Sequence, residues 1–205
     1  MSVPSPITIV GDVSDLPDTA MGPRSLVWWG TLGFMLIEGT AFLLAGAAYL
    51  YLRGQSAPWP PSGHAPPDLA LGTLFTVILL LSEIPNRWLS GKAKKLQTKP
   101  VRIGIVVMGL LGSVLMAIRF LEFGRLNVNW DHDAYGSVTW LLMILHATHV
   151  LTDLADTFVL GACIFTRRIS DSQFSDVNDN CFYWSFVVVT WLPIYALVYW
   201  GPRLL

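Results

Sequence analysis

An all-α integral membrane bundle with five transmembrane helices is the fold class the sequence predicts, and three observations predict it. The 205 residues are 53% hydrophobic and 13% charged, with about half the charge of a typical soluble domain. The mean hydropathy is +0.53, which leaves too little polar side chain to coat a globule of this size in water. Five apolar stretches reach the length of about 20 residues that a helix rising about 1.5 Å per residue needs to cross about 30 Å of hydrocarbon. The formal net charge is −1, so no basic footprint for nucleic acid exists. Cys163 and Cys181 are the two cysteines, and no CxxC or CxxCH occurs. A disulfide scaffold and a covalently attached c-type haem are thereby excluded.

Residues 1–24 carry Asp12, Asp15 and Asp18, several Ser and Pro, and no basic cluster ahead of the apolar run. They read as a disordered cytoplasmic tail and are unlike a cleavable secretory signal. Residues 25–205 form the five-span domain. The first span covers about 26–52 and is interrupted by Glu38; the second covers about 69–88. The third, about 103–121, carries Arg119 near its end, and the fourth, about 135–165, contains His146, His149, Asp153 and Asp156. The fifth, about 181–201, holds no charge.

The connections set the predicted orientation. Lys92, Lys94, Lys95, Lys99 and Arg102 crowd the one after the second span, and Arg167 with Arg168 open the one after the fourth. The positive-inside rule makes both cytoplasmic, placing the N-terminus inside and the C-terminus outside. Consistent with this, the segment 122–133 has Glu122, Asp131 and Asp133 against Arg125, and 53–68 is nearly free of charge. Trp28, Trp29, Trp59, Trp88, Trp130, Trp184 and Trp200 fall near span ends, as an aromatic belt would place them. Pro58, Pro60, Pro61, Pro66 and Pro67 make the first outer connection either a stiff, extended cover or a short connector that resists proteolysis. No internal repeat or inverted symmetry of the transporter kind is visible.

An ionisable side chain in hydrocarbon costs several kcal/mol, about 2.5 or more, unless paired, hydrated or neutralised. Glu38 sits near mid-span; it is either a proton-exchangeable carboxyl facing the bundle or a lipid cleft, or a neutral carboxyl donating one hydrogen bond to a neighbouring helix. His146, His149, Asp153 and Asp156 are spaced by three, four and three, which puts them on one helical face. That face is a metal or proton-relay site, or a set of polar contacts ordering the bundle. Two histidines one turn apart cannot clamp one haem iron from opposite sides, and a closed zinc site would want four suitable ligands. The spacing favours ordering contacts. Arg119 and Glu122, one turn apart at an outer span end, read as an interfacial ion pair.

The order of these marks resembles a known family. Trp29-Gly30, Glu38, Trp59-Pro60-Pro61, Glu122-Phe123, Tyr135-Gly136-Ser137, His146 with His149-Val150, and YWSFVVVTWLPIYALVYW near the end are together similar to subunit III of the haem–copper cytochrome c oxidases, in the short five-helix bacterial form. The resemblance implies an accessory, cofactor-free, multi-pass subunit of the bacterial inner membrane. Such a subunit packs mainly against oxidase subunit I, with subunit II in the same complex, binds phospholipid in a cleft and supports proton uptake. Haem and copper belong to the partner subunits; no metal and no catalytic residue is expected here. Glu38 falls on the family's buried carbodiimide-reactive glutamate, Glu122 on its Glu-aromatic pair, and His146 and His149 on its H-G-x-H-V stretch.

The departures lie in the last two spans. Ser185 and Val188 stand where the family usually has His and Asp, Ala147 replaces the Gly after the first histidine, and Asp153 replaces another Gly. They imply rearranged polar contacts, and leave open a subunit-III-like protein of a nitric oxide reductase or quinol oxidase. A small ion transporter built round the His146 to Asp156 face is the alternative from another class.

Overall fold

The computed structural model describes residues 26–56, 58–61, 63–166 and 171–204. The tail expected over residues 1–24 lies outside these, as do Arg167 and Arg168. Among the described residues there are helices and no strand. Five helices are long and apolar enough to cross a membrane: α1 (Leu26–Gln55), α2 (Leu69–Ala93), α3 (Thr98–Phe123), α4 (Ala134–Thr166) and α5 (Asp171–Tyr195) with its continuation. Pro193 removes one main-chain donor from α5. Shortly after it the helix widens into a π turn, Ala196–Trp200, and closes with a single helical turn, α6 (Gly201–Leu204).

Helices α2, α3, α4 and α5 form a ring in which each packs on two neighbours, and α1 leans on the outside of α4 and α5. The side chains follow this placement. Helix α1 buries Phe42, Ala45 and Tyr49 while Leu36, Ile37, Leu43 and Leu44 point away from the protein, so it is apolar on both sides, as a lipid-facing helix is. Small residues let the ring close. A Cβ on Gly72 of α2 would run into the Tyr199 ring, and one on Gly112 of α3 would come within 2.8 Å of Leu154 on α4.

The helices overrun the apolar windows. Helix α2 continues through Lys92, and α3 starts at Thr98 with Pro100 in its first turn, where a missing N–H costs nothing. The largest difference is in α5, which begins at Asp171 and not at residue 181. Its first turns carry Asp176, Asn178, Asp179 and Asn180, which a hydropathy window rejects. Extending an established helix is nonetheless easy, and Asn178 and Asn180 find polar partners on α2 and α4.

At one end of the bundle the proline-rich connection is pinned down. Trp59 Nε1 donates to Tyr49 Oη at 3.0 Å, and its ring meets Tyr49 and Tyr135 edge-on. Asn127 Nδ2 donates to the Pro66 carbonyl at 3.0 Å, and Arg203 Nη2 to that of Pro67 at 2.7 Å. Trp184 does not belong to the aromatic belt: it is buried in the ring, where its Nε1 donates to Ser82 Oγ at 2.9 Å. Trp29, Trp88, Trp130 and Trp200 are exposed.

Candidate functional site

Glu38 lies where α1 meets α4 and α5. Its Oε1 is 3.1 Å from His149 Nε2, the two side chains being 12% and 8% exposed. Its Oε2 accepts a hydrogen bond of 2.8 Å from Tyr183 Oη. Helical geometry supplies the rest, because His149 Nδ1 faces the Leu145 carbonyl one turn back along α4. A carbonyl only accepts, so Nδ1 carries hydrogen. Nε2 then has two ways to meet the carboxyl: it accepts from a protonated Glu38, or it is itself protonated and donates to a carboxylate. Either arrangement gives both facing atoms a partner. The Phe42 ring, centroid 4.7 Å from that of His149, closes one side.

From Glu38 a cleft of about 870 Å³ runs between α1, α4 and α5 toward the start of α1, past Val27, Phe34 and Leu160. Five carboxyl groups line it: Glu38, Asp153, Asp156, Asp176 and Asp179. Asn180 holds two of them apart, its Nδ2 standing 3.3 Å from both Asp153 Oδ1 and Asp156 Oδ2. Thr157 Oγ1 donates to Asn180 Oδ1 at 3.3 Å. The predicted polar face of α4 is therefore divided. His149, Asp153 and Asp156 line the cleft, whereas His146 turns into the ring.

His146 joins a second constellation, which overturns the reading of Arg119 and Glu122 as an interfacial pair. Both side chains are 1% exposed, with Nη1 and Oε2 2.7 Å apart. The reason is that α3 runs on to Phe123 and the pair points into the ring, where Phe75, Met143, His146, Trp191 and Tyr199 surround it. The guanidinium sits in the corner formed by two rings that meet edge-to-face, its Cζ 3.7 Å from the Phe75 centroid and 4.1 Å from that of Trp191, so cation–π attraction offsets part of the lost hydration. Tyr199 Oη donates to the other Glu122 oxygen. Arg119 Nη2 lies 3.2 Å from His146 Nδ1. Arginine only donates, so Nδ1 accepts, and Nε2–H donates to the Val187 carbonyl at 3.1 Å. This histidine is thus held neutral in one tautomer, as a structural acceptor.

Several polar partners escaped the sequence reading. Tyr183, Asn180 and Tyr199 bond across helices, and such residues carry no local signature. Glu83, inside the second predicted span, was overlooked although Arg87 one turn on marks an i,i+4 pair, 3.0 Å here. Ser185 donates to Glu83 Oε1 at 2.7 Å and receives Asn86 Nδ2 at 3.2 Å. The position where the resemblance expects His thus makes a polar contact to α2, while Val188 is buried among apolar side chains.

Comparison with known proteins agrees with this architecture. A family model described as cytochrome c oxidase subunit III matches residues 29–202. "Cytochrome c oxidase subunit 3" of Thermostichus vulcanus is 26% identical over 173 residues, 83% of this chain and 85% of that protein. The protein of the same name from Synechocystis sp. is 24% identical, over 87% of this chain and 77% of its own length. "Heme-copper oxidase subunit I+III" of Aeropyrum pernix is 26% identical over 86% of this chain and 22% of that protein.

Proposed function

The chain belongs to the cytochrome c oxidase subunit III family, and from that premise we propose that it is the accessory, cofactor-free subunit of a respiratory haem–copper terminal oxidase in a bacterial inner membrane. The match over residues 29–202 carries the reading. Its main neighbour is subunit I, with subunit II in the same complex; the Aeropyrum relative, whose name joins subunits I and III in one chain, supports the first of these. Haem and copper reside in the partners, where oxygen is reduced and protons are translocated.

In this role Glu38 is a proton-exchanging carboxyl at the blind end of the cleft. The supporting geometry is the 3.1 Å approach of His149 Nε2 to one carboxyl oxygen, with Tyr183 bonded to the other. The cleft faces the cytoplasm in the orientation given by the Lys and Arg loops, the side from which an oxidase draws protons. It also holds a phospholipid, whose acyl chain lies along Val27, Phe34 and Leu160. The carboxyl groups beside it repel an anionic headgroup and favour a zwitterionic one with a primary amine.

The test is purification of the complex through a tag on this chain. A large multi-span protein with a haem Soret band and stoichiometric copper is expected to accompany it, the separated subunit is expected to be colourless, and native mass spectrometry is expected to find an amine-bearing lipid. A Soret band in the isolated subunit, or recovery of the chain with no haem protein, overturns the assignment.

A further inference from the structure

Three metal-ligating side chains from separate connections converge at the end of the bundle that carries Trp59. His64 lies in the α1–α2 connection, and His132 with Asp133 directly precedes α4. One ligand atom from each lies within 4.8 Å of the other two. His64 Nε2 is 2.8 Å from Asp133 Oδ2, and His132 Nδ1 is 3.8 Å from the same oxygen. Donors bound tetrahedrally to zinc at about 2.0–2.1 Å stand about 3.3 Å apart. The two measured separations bracket that value, so small side-chain rotations would bring the atoms to bonding distance.

The ligands are also oriented from behind. Asp133 Oδ1 accepts the Gly136 N–H at 2.7 Å, which leaves Oδ2 directed at the imidazoles, the outer-shell arrangement that metal-bound carboxylates use. A hydrogen bond to His64 alone would account for one imidazole at Oδ2. It leaves unexplained the second imidazole, which presents Nδ1 to the same oxygen and meets the first edge-to-face at 5.0 Å between centroids. The site is anchored on one side and open on the other, His64 being 13% and His132 67% exposed. A cavity of about 460 Å³ adjoins it, lined also by Asn127 and Asn129, with ample room for water.

We propose that His64, His132 and Asp133 form a three-ligand site for a borderline divalent transition-metal ion of the Zn²⁺ class, with water from the adjoining cavity completing the shell. Two imidazoles and one carboxylate suit such an ion better than Mg²⁺ or Ca²⁺, which favour all-oxygen shells. Bound there, the ion ties the proline-rich cover to the start of α4 across a long stretch of chain. This site is independent of the Glu38 cleft and of the proposed role in an oxidase.

The experiment uses the full chain in its native complex, purified without a polyhistidine tag, stripped by chelator and titrated with Zn²⁺ alone in equilibrium dialysis. His132→Ala removes an exposed ligand, and Asp133→Asn keeps the oxygen that accepts from Gly136 while removing the charge. Each variant is expected to lose one equivalent of bound zinc, or to bind it at least about tenfold more weakly. Zinc is expected to raise the melting midpoint of the unaltered complex but not of the variants. Equal stoichiometry and affinity in all three proteins, or no zinc-dependent rise in the unaltered one, overturns the proposal.

Discussion

The Arg119 knot and the Glu38 pair are built from similar parts, each a glutamate, a histidine and a tyrosine drawn from three helices, yet one is sealed and the other opens onto a cleft. In the knot every proton has a fixed owner. Arg119 can only donate, Glu122 accepts from it and from Tyr199, and His146 is confined to one tautomer. In the pair the donor and acceptor roles of His149 Nε2 and Glu38 interchange with a single proton. Charge locked by arginine and aromatic faces holds helices together. Charge that balances on a histidine, with access to a polar cleft, is suited to exchange.

If that contrast is right, substitutions should rank by enclosure. The largest effect is expected for Arg119→Leu, which leaves Glu122 buried without its counter-ion; the cost is about 3–5 kcal/mol, and the variant chain should fail to accumulate in the complex. Arg119→Met combined with Glu122→Leu should restore much of the lost melting midpoint, since an apolar pair avoids the stranded charge. Full recovery by either single substitution would place the pair at the surface after all. Next comes Tyr199→Phe, removing a buried donor to a carboxylate at about 1.5–3 kcal/mol. Tyr183→Phe, the same change at the cleft, should cost about 1 kcal/mol or less because water can replace the hydroxyl. Thermal melts of the two tyrosine variants, run side by side, decide whether enclosure sets the order. Glu38→Gln should be smallest in stability, within about 1 kcal/mol, as the amide keeps its bond to Tyr183. It should nevertheless abolish carbodiimide labelling of this chain, and undiminished labelling would locate the reactive carboxyl elsewhere.

Much of the bundle was legible because lipid imposes one rule, about 20 apolar residues per crossing, and the five windows obey it. The polar start of α5 was hidden by the same rule, since Asp176, Asn178, Asp179 and Asn180 lower the local hydropathy, although Asn178 and Asn180 bond inward. Glu38 stood out because it is the lone charge in its span. Arg119 was misplaced because its window ended two residues later, whereas its burial depends on Phe75, His146 and Trp191 of other helices, which a window does not see. Tyr183, Tyr199 and Asn180 act across helices whose rotation and register the sequence does not display. His64 and His132 are far apart in the chain and match no ligand spacing, so only folding brings them together.

Helix α1 rests on α4 and α5 along a face that includes Glu38 and Phe42, and leaves Leu36, Ile37, Leu43 and Leu44 exposed. It is therefore a leaf held shut by the surrounding acyl chains as much as by the protein. Lateral pressure in the bilayer then sets the width of the slot beside Glu38, and a harsh detergent should spring α1 outward while the other four helices keep their grip on one another.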